Sequence, residues 1–322
     1  MRLPPLSIVP QGVDSMKMSR RALWGGLVVG LGYWLMRFFR PRHSTLVLNE
    51  KVVLITGASS GLGRALAFAF ARRAAKVVLV ARHEDRLEMV RREIEPYTSA
   101  VLVIPADLTD EAQLRRVVDL TLERFGRIDV LVNNAGISMG GPFVEQNPQR
   151  IEQMVRLNLW AAIRLTQLVL PSMLAHNHGY ILNIGSGLSR AAVPTFAPYV
   201  ATKYGLAGFS DALRRELHRT GVHVTLVLPG WMHTDMITPE VENLVERYGF
   251  PVEHPDFVAE RAVLGLVRGE HEIVLGGFLA RLGVLVERYA PVLLNIYWKL
   301  WMTPEWVSTM SKIGYSTEND GR

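Results

Sequence analysis

Tyr199 and Lys203 stand four residues apart in the run Tyr199-Val200-Ala201-Thr202-Lys203, a spacing that puts both side chains on one face of a helix. A lysine ammonium beside a phenol favours the phenolate, so the pairing predicts a Tyr199 pKa below the usual value of about 10. Such a phenol gives a proton to a carbonyl oxygen, or takes one from an alcohol, near neutral pH. Ser186 lies thirteen residues upstream, and its hydroxyl suits the task of holding the same oxygen and stabilising charge that develops on it. Tyr-x-x-x-Lys alone is also the pattern of a solvated helix face with a salt-bridged lysine. The serine at this distance turns the reading toward acid–base chemistry on a carbonyl/alcohol pair.

A second group of residues fits a different task. Thr56-Gly57-Ala58-Ser59-Ser60-Gly61-Leu62-Gly63 follows an apolar, β-branched run and precedes a segment of helical period, 64–73. Glycines there permit a tight turn and let backbone N–H groups approach a pyrophosphate, and the following helix N-terminus adds partial positive charge. Gly57, Ser59, Ser60, Gly61, Leu62 and Gly63 are therefore candidate dinucleotide-binding residues. The next apolar run ends Val80-Ala81-Arg82. An acidic residue near this end would accept hydrogen bonds from the ribose hydroxyls of NAD. Ala81 and Arg82 stand there instead, and a guanidinium offers a bidentate partner for a 2′-phosphate. The expected cofactor is NADP(H).

The elements that must position these residues are legible as apolar runs at 52–56, 77–81, 101–105, 128–132, 180–184, 222–228 and 272–275, separated by amphipathic stretches. Strand–helix alternation with continuously apolar strands predicts a doubly wound, Rossmann-type α/β domain: seven parallel strands with helices on both faces, over 45–276. Ser186 then falls at the carboxyl edge of the fifth strand, where ligands bind in open α/β sheets.

The glycine spacing, three residues and then one, together with the Ser–Tyr–Lys set, resembles the short-chain dehydrogenase/reductase family over residues 50–276, in particular its membrane-anchored NADP-dependent members. That resemblance implies further roles. Asn158, in Arg156-Leu157-Asn158-Leu159, becomes the fourth catalytic residue, holding a water that relays protons toward Lys203; a buried structural asparagine is the alternative. Asp107 is placed against the adenine amine, unless it caps the next helix in competition with Thr109 and Asp110. In Asn133-Asn134-Ala135-Gly136, Asn133 and Ala135 line the cofactor side and Asn134 is structural. Pro229 and Gly230 turn the chain and Thr234 reaches the nicotinamide carboxamide. Tyr199 and Lys203 touch the nicotinamide ribose as well. His233 is read as a loop histidine. Residues 235–254 form a substrate lid whose Met236, Ile237, Val241, Leu244, Val245, Tyr248 and Phe250 are apolar, which points to a hydrophobic small-molecule substrate: a steroid, retinoid, fatty-acyl or long-chain ketone. A soluble 3-oxoacyl-carrier reductase and a non-catalytic NADP-binding scaffold are the competing functions.

Charge placement narrows the partners. Of the net charge of +6, residues 1–44 carry seven basic groups against Asp14 alone, and the remainder is neutral. A nucleic-acid binder would carry its basic patch on the folded body. Here the basic residues flank an uncharged run, 22–36. That run is ~22 Å long as a helix, against ~30 Å of hydrocarbon core; with residues 37–39 it reaches ~27 Å. A signal peptide and a buried core helix also fit, but the basic ends and the absence of a small-residue cleavage site favour a membrane anchor at about 22–39, with the catalytic domain facing the cytoplasm. Gly26 and Gly30 have small-xxx-small spacing, and a homodimer is expected. Residues 43–50 read as a linker. Residues 277–311 read as an apolar helical tail, with Arg281, Arg288, Asn295 and Lys299 on one narrow stripe and Pro291 as a break. The tail packs on its own domain, a partner subunit or a membrane; residues 312–322 read as frayed. No cysteine is present, and no His/Asp/Glu cluster calls for a metal.

Overall fold

The computed structural model describes residues 46–314; the expected membrane anchor, the basic N-terminal segment and residues 315–322 lie outside them. The chain order of the core is β1 (Val52–Thr56), α1 (Gly61–Ala71), β2 (Lys76–Ala81), α2 (Glu84–Ile94), β3 (Val101–Pro105), α3 (Glu111–Phe125), β4 (Val130–Asn133), α4 (Pro148–Val155), α5 (Ala161–Ala175), β5 (Gly179–Ile184), α6 (Ala197–Glu216) and β6 (Val222–Leu228). There follow β7 (Trp231–Met232), α7 (Pro239–Arg247), β8 (Val252–Glu253), α8 (Pro255–Val267), β9 (Glu272–Val274), α9 (Gly277–Tyr289), α10 (Pro291–Trp301) and α11 (Pro304–Met310).

Seven strands form one parallel sheet in the order β3-β2-β1-β4-β5-β6-β9. Its strands are apolar throughout because both faces are covered. In β1, Val53 and Ile55 join the core beneath α1, α2 and α8, while Val52 and Leu54 join the core beneath α3, α5 and α6. Strand β4 starts at Val130 rather than 128. Just before it, Asp129 pairs through its backbone with Val52 and Tyr180, and its buried carboxylate also accepts from Val52 N at 3.0 Å. The chain leaves β1 toward β2 on one side and leaves β4 toward β5 on the other, so the sheet's switch point lies between β1 and β4. A crevice opens there, at the carboxyl ends of the strands.

Three boundaries differ from the sequence reading. The end of the expected linker is part of the domain, since Leu46 and Leu48 are buried against the α1 side of the sheet. A second, two-stranded sheet pairs β7 with β8, each too short to leave a periodic signal. The tail divides into parts with different fates. Helices α9 and α10 bury no residue and are separated at Ala290 and Pro291, as proline requires. Helix α11 buries Trp306 and Met310 against the lid helix α7. The frayed end expected from 312 onward starts later, because Ile313 is buried and its carbonyl accepts from Gly140 N at 3.3 Å.

Candidate active site

The glycine turn comes straight off β1. Gly57 and Gly61 have φ of +65° and +50°, a conformation costly for residues with a Cβ. Gly63 is required for a different reason: a Cβ there would lie 1.9 Å from the Gly57 carbonyl oxygen. Thr56 latches this turn to the exit of β4. Its hydroxyl donates to Val132 O (3.1 Å) and accepts from Asn134 N (2.9 Å) and Ala135 N (3.0 Å). The Asn134 amide donates to the carbonyls of Thr56 (2.9 Å) and Gly57 (3.2 Å). Ser60 precedes α1 in an extended conformation and its side chain makes no capping bond, so Ser59, Ser60 and Leu62 present the backbone of an open helix N-terminus. Thr234 closes the turn from above, its Cγ2 3.2 Å from where a Gly61 Cβ would stand.

Asn133, expected to line the cofactor side, is instead turned into the core. Its amide donates to Asn183 Oδ1 (2.8 Å) and Thr166 Oγ1 (3.2 Å). Ala135 does meet the turn, its Cα 2.9 Å from the position of a Gly57 Cβ. Asp107 does not cap α3; Asp110 does, accepting from Ala112 N at 2.7 Å and Gln113 N at 3.3 Å. Asp107 Oδ1 accepts from the backbone and hydroxyl of Thr109 at 2.9 and 2.8 Å, a local turn that fixes its carboxylate at the end of β3. Arg82 is exposed and pairs with no carboxylate among the described residues.

On the far side of the crevice, Ser186 is held by a reciprocal cap. Its Oγ accepts from Leu188 N (3.2 Å) and its own N–H donates to Ser189 Oγ (3.0 Å). Pro229 O receives the N–H of Gly187 at 2.7 Å, which ties Ser186 to the turn after β6. Gly230 lets that turn approach the backbone of Gly276, 2.5 Å from its would-be Cβ. Tyr199 sits in the first turn of α6, with the Ser186 side chain near enough to favour its phenolate. Lys203, one turn later, is buried, donates to Ile184 O at 3.0 Å and lies 5.6 Å from the Tyr199 ring centroid.

The electrostatics reverse the sign expected for Tyr199. Burial pushes the phenol up to about 12, with the nearby Ser186 side chain acting against it. Burial also brings the Lys203 ammonium down to about 8. Lys203 gives one of its donors to the Ile184 carbonyl, and desolvation of the phenolate outweighs the attraction expected from helical spacing.

Asn158 lies in a five-residue π-helical turn, Arg156–Trp160, inserted between α4 and α5. Turns of this kind re-aim a side chain out of the regular ladder. Its amide clamps the segment after β4: Oδ1 accepts from Ile137 N (2.9 Å) and Nδ2 donates to Ile137 O (2.8 Å). A weaker bond to Thr202 Oγ1 (3.3 Å) links it to α6. Asn158 and Lys203 meet at Gly136, where a Cβ would lie 3.2 Å from Asn158 Oδ1 and 3.7 Å from Lys203 Nζ. His233 bonds Glu242 at 3.1 Å on the surface, away from the serine and tyrosine.

Several residues absent from the sequence reading complete the site. Thr56 and Thr202 were hidden inside the motifs that contain them. Gln146 joins two loops at the substrate side, donating to Gly141 O (2.8 Å) and Thr195 O (3.2 Å); nothing in its sequence context marks it. Phe196 packs edge-on against both Tyr199 and Trp231, and an aromatic immediately before the helix that carries Tyr199 was the available signal.

A glycine turn at the switch point faces a Ser–Tyr–Lys set across one crevice. The family model described as short chain dehydrogenase matches residues 51–244. This chain is a short-chain dehydrogenase. Among its relatives, a dehydrogenase/reductase SDR family protein 7-like from Anopheles gambiae is 33% identical over 275 residues, covering 82% of this chain and 87% of its own length. An 11-beta-hydroxysteroid dehydrogenase-like protein from Arabidopsis thaliana is 36% identical and covers 66% of this chain and 67% of its own length. A metagenomic short-chain oxidoreductase solved in complex with NADP is 30% identical, with TM-score 0.61 over 72% of this chain and all of its own. A Burkholderia phymatum family member solved with NAD has TM-score 0.70, covers 77% of this chain and 96% of its own, and at 23% identity shares the fold. As a short-chain dehydrogenase, the chain is an oxidoreductase that interconverts a carbonyl and an alcohol with a nicotinamide cofactor. Among the described residues no His/Asp/Glu cluster fits a metal ion.

Proposed function

We propose that this protein reduces a lipophilic ketone or aldehyde with NADPH. The observation that carries the reading is the state and setting of Tyr199. Burial holds its proton, with a pKa of about 12, and its ring packs in the apolar cluster that also contains Phe196, Trp231 and the lid residues Val241, Leu244 and Val245. A phenol that keeps its proton at neutral pH is a general acid, the role that carbonyl reduction demands.

The glycine turn fits a dinucleotide on its own geometry, since the Gly63 and Gly57 backbones leave no room for a Cβ. Gly57, Ser59, Ser60, Gly61, Leu62 and Gly63 would hold the pyrophosphate, Asp107 and Ala135 the adenosine side, and Thr234 with Pro229 and Gly230 the nicotinamide side. Arg82, exposed next to Ala81 and without a carboxylate partner among the described residues, supports a 2′-phosphate over a free ribose hydroxyl. When bound, the cofactor supplies a hydride to the carbonyl carbon. Tyr199 gives its phenolic proton to the carbonyl oxygen. Ser186, whose Oγ accepts from Leu188 N, keeps its own proton to donate to that oxygen. The Lys203 ammonium stabilises the phenolate left on Tyr199. Asn158 keeps the segment after β4 in place through both atoms of its amide.

Purified protein and NADPH against ketones of rising chain length test the reading. Turnover should climb with hydrophobicity and fall ~10²–10⁴-fold in Tyr199→Phe. A flat response to chain length rejects the lipophilic substrate. Unchanged turnover in Tyr199→Phe rejects the acid assignment.

A further inference from the structure

Helices α9 and α10 expose apolar stripes. On α9, Phe278, Leu282, Leu285 and Tyr289 fall within about 60° of one another at helical spacing. Phe278 is 76% and Tyr289 75% exposed. On α10, Val292, Ile296 and Leu300 repeat the pattern, at 65%, 50% and 74% exposure. Together they leave seven large apolar side chains open to water, a concentration of the kind that marks an interaction surface.

Charge indicates what covers it. Arg281 and Arg288 border the α9 stripe and Lys299 the α10 stripe, all exposed. None of the three pairs with a carboxylate among the described residues. Elsewhere on the surface Arg64, Arg91, Arg156 and Arg247 each hold one. The only acid within the two helices is Glu287. Tyr297, Trp298 and Trp301 cluster on the other side of α10, where Trp298 packs on Trp306 and Trp301 on Tyr248, so the stripe is left facing outward. A second copy of the chain seated on this face by a two-fold axis would bring both sets of three cations into one interface with only Glu287 of each copy to answer them. An anionic lipid surface answers both the stripes and the cations. The helices are ~20 and ~17 Å long, too short to cross ~30 Å of hydrocarbon. Among the described residues no helix is long and apolar enough to span a membrane.

The helices that carry these stripes also touch the lid. Leu279 Cδ1 lies 3.1 Å from the would-be Cβ of Gly249, just past α7, and Pro251 Cγ lies 2.9 Å from that of Gly277. The Tyr248 ring packs edge-on against Trp301 at 5.6 Å.

We propose that the α9–α10 hairpin lies in the surface of an anionic membrane and delivers substrate to the lid side of the site from the bilayer. The delivery clause rests on the lipophilic-substrate reading above; the docking does not.

The chain has no cysteine, so one introduced thiol reports one place. Full-length Leu282→Cys and Ile296→Cys, each carrying an environment-sensitive NBD fluorophore, are mixed with phosphatidylcholine/phosphatidylserine vesicles. Far-UV circular dichroism checks that the variants fold. The expected result is a blue shift and quenching by brominated acyl chains at both positions. Met89→Cys, exposed on α2, keeps water-like emission. Adding Arg281→Gln, Arg288→Gln and Lys299→Gln, or replacing phosphatidylserine with phosphatidylcholine, should cut the quenching at Leu282→Cys. Water-like hairpin labels on vesicles that have captured the protein overturn the proposal. So do labels already buried without vesicles: dilution-sensitive burial assigns the face to a second copy, dilution-insensitive burial to the chain's own N-terminal segment. The readout is lipid contact, not turnover, so failure of the substrate reading and failure of docking are separate results.

Discussion

The lysine at 203 should set the alkaline limit of the enzyme. Its ammonium is buried and its pKa lies at about 8, whereas the phenol it serves stays protonated up to about 12. Both values follow from desolvation, which disfavours whichever form carries charge. From the Lys203 value, roughly nine-tenths of the ammonium is present at pH 7 and roughly one-tenth at pH 9. If stabilising the Tyr199 phenolate requires that charge, reduction should hold level below pH 8 and fall about tenfold per unit above it. The measurement is kcat/KM for NADPH across pH 6 to 10, followed by NADPH absorbance, because this constant samples the free enzyme whose groups are described above. Lys203→Arg should move the break out of the accessible range, since a guanidinium does not lose its proton there. Lys203→Met should leave a low, flat profile. A wild-type break near 10, or a break near 8 that survives in Lys203→Met, would refute the argument that burial sets these two groups. The stability sign follows from the same shift. The Lys203 pKa is lower in the fold than in the unfolded chain, so between about 8 and 10.5 the unfolded state binds more protons and this group makes stability rise with pH.

Other outcomes are equally specific. Gly63→Ala puts a methyl 1.9 Å from the Gly57 carbonyl oxygen, and NADPH binding measured by fluorescence should be abolished while the fold persists. Arg82→Ala removes a charge-assisted bond, so the Kd for NADPH should rise roughly 10- to 100-fold while that for NADH barely moves; equal losses for both would reject the 2′-phosphate role. Trp306→Ala empties a fully buried site beneath the lid and should cost ~3–5 kcal/mol in chemical denaturation.

Much of this was legible in residue order because the signals are local. The apolar runs of β1, β2 and β3 name a buried parallel sheet, and the glycine spacing names its first turn. The sign of the Tyr199 shift was not legible, because helical spacing reports which side chains are neighbours, whereas burial of a phenol is decided by Phe196 and the lid folding over it. Asn134 is structural, as its motif implies, but the role of Asn133 differs from expectation because two adjacent strand-end residues point to opposite sides, and sequence alone does not say which faces the turn. The π-helical turn at Asn158 leaves no pattern of its own. In the tail, α9 and α10 are more apolar than α11 yet bury no residue, and the surface offered by α7 decides that α11 is the helix that does.

Gly140 and Gly141 owe their place to the segment that crosses them: a Cβ on Gly140 would lie 2.2 Å from the Met310 carbonyl oxygen, and one on Gly141 2.9 Å from Ser311 Oγ. The brace is thus some 170 positions downstream of the loop it steadies. During synthesis the nucleotide half of the crevice is fully encoded well before the brace emerges, and distant pairings of this kind form late. A chain interrupted after β9 would then have the makings of a coenzyme binder with an unroofed substrate side, able to sequester the reductant without spending it.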